Sequence, residues 1–151
     1  MQNVSASGIS VTLKASVTFP GGITITAFAD DADPFDIPAI DIATTAMNLN
    51  GQLVVSNTPV PVAPTISVIP GSEDDLNMQI LYDANRPAAG RRVARDEITI
   101  VVNYPDGGTA TFVRGVMTNG PAAMSVASAG RLKSNTYTFA FEDVARTRPS
   151  V

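Results

Sequence analysis

Several stretches of the chain alternate apolar and polar residues, the period of a strand with one buried face. Ile9, Val11, Leu13, Ala15, Val17 and Phe19 alternate with Ser10, Thr12, Lys14, Ser16 and Thr18. Pro20-Gly21-Gly22 is a turn signal, after which Ile23, Ile25, Ala27 and Ala29 alternate with Thr24, Thr26 and Phe28. The two runs predict a hairpin. Ile98, Ile100, Val102 and Tyr104 predict a second one. It turns at Pro105-Asp106-Gly107-Gly108 and returns through Ala110, Phe112, Arg114 and Val116. Met47, Leu49, Leu53 and Val55 are periodic as well, and Asn50-Gly51 between them suits a type I′ turn or a bulge within one strand. Thr65–Ile69 reads as a short strand, and Thr136–Glu142 as a last one with Tyr137, Phe139 and Phe141 on one face.

One segment has the other period. Ser72 to Arg86 predicts a helix, with Ser72 as its cap, Asp75 at the third position, acids in the first turn, Arg86 near the end and Pro87 as the stop. Leu76, Ile80 and Ala84 form one stripe; Met78 and Tyr82 form another on nearly the opposite side, with Leu81 between. The first stripe is expected to pack on a sheet, and Met78 and Tyr82 to form an outer contact with another subunit.

Between these elements the pattern breaks. Asp30–Asp41 holds two prolines and reads as a loop. Thr58–Pro64, with prolines at 59, 61 and 64, reads as extended and polyproline-like. Asn119–Ala129 is small and low in charge, and 144–151 reads as a C-terminal tail. The sum is about seven or eight strands, mostly hairpin-linked, and a single helix. This predicts a mainly β fold, an antiparallel β-sandwich or barrel flanked by one α-helix. With 151 residues the chain is expected to be one domain.

Composition narrows the function. There is no Cys, His or Trp, so thiolate chemistry, a histidine base and the commonest metal ligand are all absent. Only 16% of residues are charged, against about 25% in a typical soluble domain. The mean hydropathy is +0.14, yet no apolar run approaches the ~20 residues that span a bilayer. A surface so poor in charge is expected to be covered largely by partners. The net charge of −4 argues against a dedicated nucleic-acid binder. Met1–Ser5 shows no signal-peptide start, so synthesis without export is expected.

Three constellations bear on chemistry. The first is an acidic loop of Asp30, Asp31, Asp33, Asp36 and Asp41. Its spacing is not that of a calcium loop; the other readings are a solvated loop or a negative surface turned toward something anionic. The second is a basic loop, Arg86, Arg91, Arg92 and Arg95, without interleaved aromatics. Pairing with carboxylates, its own or a neighbour's, suits it better than phosphate binding. Opposite loops on one chain suit head-to-tail association. The third is nucleophilic catalysis, for which neither a histidine base nor a Gly-x-Ser-x-Gly elbow is present. No enzyme activity, cofactor or metal is expected.

The chain resembles the tail tube proteins of contractile-tailed bacteriophages. The resemblance is carried by residues 22–36, by Asn48-Leu49-Asn50-Gly51, by Ile69-Pro70-Gly71-Ser72-Glu73-Asp74-Asp75-Leu76-Asn77 and by Thr136-Tyr137-Thr138-Phe139-Ala140-Phe141-Glu142-Asp143. It implies a structural virion protein, made in the host cytoplasm, whose subunits form hexameric rings that stack into a tube. Strands of all six subunits would close into one inter-subunit β-barrel around a lumen. The lumen would hold a tape measure protein and then pass DNA without specific binding. A tail sheath protein would surround the tube, with baseplate and terminator proteins at its ends and no membrane contact. Loops 30–41 and 57–65 are the expected inter-subunit arms. The alternatives are a single-ring initiator or terminator, a secretion-system tube protein, and a monomeric β-sandwich binding module.

Overall fold

The computed structural model describes residues 9–26, 28, 34–90, 92–105, 107–123, 126, 130 and 132–147. Among these, the strands are β1 (Ser10–Ala15), β2 (Phe19–Ile25), β3 (Phe35–Asp36), β4 (Thr44–Met47), β5 (Leu53–Ser56), β6 (Thr65–Val68), β7 (Ile98–Asn103), β8 (Thr109–Asn119) and β9 (Asn135–Thr147). A helix, α1 (Glu73–Asn85), lies between β6 and β7. The fold is thus mainly β with one helix, as the periodicity predicts. Seven strands form one antiparallel sheet in the order β2-β1-β7-β8-β9-β6-β3, and β4 and β5 form a separate hairpin. The sheet curls strongly. Phe35 on its last strand meets Phe112 on β8 edge-on at 6.1 Å, and Phe28, beyond β2, bridges to Val68 on β6. A single bridge is not a ladder, so the described chain is sandwich-like and not a closed barrel.

The core follows from the alternation. Val11, Leu13 and Ala15 on β1, Ile98, Ile100 and Val102 on β7, and Tyr137, Phe139 and Phe141 on β9 all point inward and are buried. Gly115 has a specific task there. It pairs with Phe141, whose ring covers it so closely that a Cβ would lie 2.2 Å from a ring carbon.

Four details depart from the sequence reading. The first hairpin turns at Ser16–Thr18, and Pro20-Gly21-Gly22 lies within β2 as a register irregularity. An edge strand tolerates this, since proline's missing N–H has no partner to lose there. In β8, Arg114 adopts a left-handed φ of 52°, and the register with β7 shifts nearby. The shift reverses the alternation, so Arg114 and Val116 face outward and Gly115 faces in. Residues 144–147 are no tail: they extend β9 and pair with Thr109–Phe112. Residues 62–65 rejoin the sheet, where Val62 exchanges two backbone hydrogen bonds with Phe141.

The helix is turned relative to expectation. Met78 and Leu81 are fully buried, whereas Leu76 and Ile80 are 58% and 52% exposed. Met78 is therefore a core residue and no outer contact, and Tyr82 is half-buried against Gly120. The cause is polar. Asp74 and Asp75 are buried and lie on the inner side of the helix. Asp74 accepts a hydrogen bond from the Thr26 amide, and Asp75 from the Asn135 amide group and the Tyr137 hydroxyl. These partners, on β9 and just beyond the end of β2, fix which side of the helix faces inward.

Candidate functional site

Among the described residues no catalytic constellation emerges, and no three carboxylates converge on a metal-sized site. What stands out is surface that the chain does not cover. Residues 36–61 are all exposed. They leave the sheet after β3, run out to the β4–β5 hairpin and return at Val62. Ile42 through Ser72 contains no charged residue at all. Beyond Asp41 the arm thus joins full exposure to a complete lack of charge, a combination unsuited to free solvent. This run was legible in the sequence as a gap between Asp41 and Glu73, a signal that motif reading passes over.

The hairpin has two unlike faces. Thr45 pairs with Val55 and Met47 with Leu53, so these four side chains share one face. Met47, Leu53 and Val55 are 64%, 61% and 53% exposed. The opposite face carries the smaller Thr44, Ala46, Val54 and Ser56. An isolated two-stranded hairpin is marginal in water, and here the turn supplies the order. The Asn48 side-chain oxygen accepts hydrogen bonds from the Asn50 and Gln52 amides, and the Asn48 carbonyl accepts one from Gly51. Gly51 alone takes a left-handed φ, 76°, so Asn48–Gln52 closes a three-residue loop in place of a type I′ turn. The loop holds Leu49 fully out in solvent.

A groove of about 450 Å³ opens where the arm meets the body. Ile37 and Ile40 from the arm root line it, with Tyr104, Phe112, Val144 and Arg146 from the ends of the central strands. A smaller cleft of about 190 Å³ runs between Tyr82 and Arg86 on the helix side and Met117 and Asn119 on β8.

The charged candidates are spread out. Asp36 sits on β3 at the sheet edge and Asp41 in the arm, both exposed; Asp30, Asp31 and Asp33 lie outside the described residues. Arg86 ends the helix, and Arg92 and Arg95 follow it, all exposed; Arg91 lies outside the described residues. Among the described residues the ion pair is Arg114–Glu142, at 2.6 Å, and it involves neither loop.

A second polar centre, unforeseen from the sequence, links three segments of the body. Asp96 is 2% exposed. It accepts hydrogen bonds from the Val17 and Thr18 amides, the Thr18 hydroxyl and the Asn85 side chain. It thereby ties the first turn, the helix end and the start of β7 together. Burial pushes its pKa up, but the bonds from Thr18, Asn85 and Val17 outweigh this and hold it below the ordinary value. Tyr137 moves the other way: burial and the bond to Asp75 raise its hydroxyl well above the usual tyrosine range.

A family model described as tail fiber protein gp32 matches residues 2–145. The chain belongs to that family. No curated protein matches it by sequence. Among solved structures it resembles a sheath/tube terminator of an extracellular contractile injection system, at 13% identity and a TM-score of 0.56, over 98% of this chain and 99% of that one. It also resembles a chain of the six-fold symmetrised baseplate of the anti-feeding prophage, at 11% identity and a TM-score of 0.58 over the whole of both chains. The tube-terminating cap of the same particle is similar at 13% identity and a TM-score of 0.52, over 97% and 92%. The chain thus has a fold shared with contractile-tail components. The matched family is described by the tail fiber, where the sequence motifs resemble the tail tube.

Proposed function

We propose that this chain is a structural virion protein of a contractile tail that self-assembles into hexameric rings. The rings stack into the inner tube through which phage DNA is delivered. The observation that carries this reading is the arm, exposed, uncharged from Ile42 onward and apolar on one hairpin face, which demands cover from another molecule. The shared fold with contractile-tail components supports it. The low charge fraction suits a surface buried by neighbours, and the net acidity suits a lumen that passes DNA without holding it. The outer strands β2 and β3 leave sheet edges for a barrel shared between subunits. The sheath protein would lie outside and the tape measure protein within.

A second reading is a terminator that forms one ring and stops. End-to-end similarity to a sheath/tube terminator favours it. Negative-stain electron microscopy with light scattering on the purified protein decides between them. Tubes of open length support the tube, single rings with a central hole support the terminator, and a chain that stays monomeric at high concentration contradicts both.

A further inference from the structure

We propose that the apolar face of the β4–β5 hairpin of one copy seats in the groove between the arm root and the β8–β9 ladder of a second copy. The inference rests on the ring-forming reading and names the contact that would build it. Met47, Leu53 and Val55, with Leu49 at the tip, present an uncovered apolar face in their own chain. The groove offers Ile37, Ile40, Tyr104 and Val144, with Arg146 as its charged member. Arg146 is exposed and stays hydrated at the rim. Docking therefore strips water from apolar surface on both sides without stranding a charge. The Asn48-centred turn is already ordered, which lowers the entropy lost on docking. A patch and a complementary pocket at different places on one molecule make a heterologous contact, which either closes into a ring or propagates into a stack.

The absence of cysteine makes the test direct. Single variants Leu49→Cys and Arg146→Cys are prepared separately, mixed, assembled and treated with a short bismaleimide. The expected result is a two-chain product on a denaturing gel in the mixture. It should be several-fold stronger than in Leu49→Cys alone, or in Val17→Cys mixed with Arg146→Cys, where Val17 lies on the exposed first turn. Thr147→Cys, another exposed groove position, repeats the test without touching the arginine. Assembly without the mixed product overturns the pairing and leaves the ring-forming reading intact. A strong product from Leu49→Cys alone overturns it in favour of hairpin-to-hairpin contact. A cross-link within one monomeric chain of the double variant overturns it in favour of self-covering. Failure of the unmodified chain to assemble removes both readings.

Discussion

The body and the arm invert the usual distribution of charge and grease. In the body, Asp74, Asp75 and Asp96 are buried acids, and among the described residues no buried side-chain polar atom lacks a partner. In the arm, Met47, Leu49 and Leu53 are exposed and no charge accompanies them from Ile42 onward. The body's acids fix geometry: Asp75 joins the helix to β9, and Asp96 joins three segments at one carboxylate. The arm's apolar residues fix nothing within the chain. A fold that satisfies its interior so fully, yet leaves such an arm uncovered, is complete as a body and incomplete as a surface.

The sharpest way to break this contrast is to charge the arm. Met47→Asp with Leu53→Asp removes two apolar anchors worth roughly 1.5–3 kcal/mol each when buried. Together that is about 3–6 kcal/mol, or roughly 10²- to 10⁴-fold weaker association. Sedimentation should show the loss of assembly, while the melting temperature of the monomer stays unchanged.

Changes in the body should do the reverse. Asp96→Asn replaces a charged acceptor that holds four donors, and is expected to cost about 1.5–3 kcal/mol in urea unfolding. Its pH dependence follows in sign. The folded pKa of Asp96 lies below the unfolded one, so its stabilisation is present above the unfolded pKa and fades as pH falls below about 4. The variant should flatten the acid limb of the stability curve. Tyr137 acts at the other end. Its folded pKa is raised, so its stabilisation is present at neutral pH and fades above about 10, where the unfolded hydroxyl ionises.

Gly115→Ala puts a Cβ into the Phe141 ring and should cost about 1–3 kcal/mol through overpacking. Thermal unfolding reads this as a drop of roughly 2–4 °C per kcal/mol. The smallest effect is expected from Gly51→Ala. It strains a left-handed residue by about 1 kcal/mol in a turn the body does not feel. It should weaken assembly modestly and leave the monomer's melting temperature alone.

Much of the body was legible because its strands obey a period of two. Ile98, Ile100 and Val102 alternate without exception, and the turn at 105–108 is glycine-rich. The helix boundaries were legible from Ser72, the first-turn acids and Pro87. Its orientation was not, because hydrophobic stripes assume that the buried side is the apolar one. Here two buried aspartates decide the matter, and their partners Thr26, Asn135 and Tyr137 are far away in sequence. The first turn was misplaced for a similar reason. Pro20-Gly21-Gly22 is the stronger local signal, but the Asp96 carboxylate gathers the Val17 and Thr18 amides and sets the turn there. The arm's strands were visible as a period, but their isolation was not, since periodicity reports an apolar face and never says which molecule covers it.

Hydrogen–deuterium exchange on the monomer and the assembled particle tests the central claim most directly. Body amides, such as those of β7 and β8, should be protected in both states. Amides of residues 44–56 should exchange rapidly in the monomer and slow markedly on assembly. An arm that exchanges equally fast in the assembled particle would contradict the account, because the surface proposed to build the ring would then still face solvent.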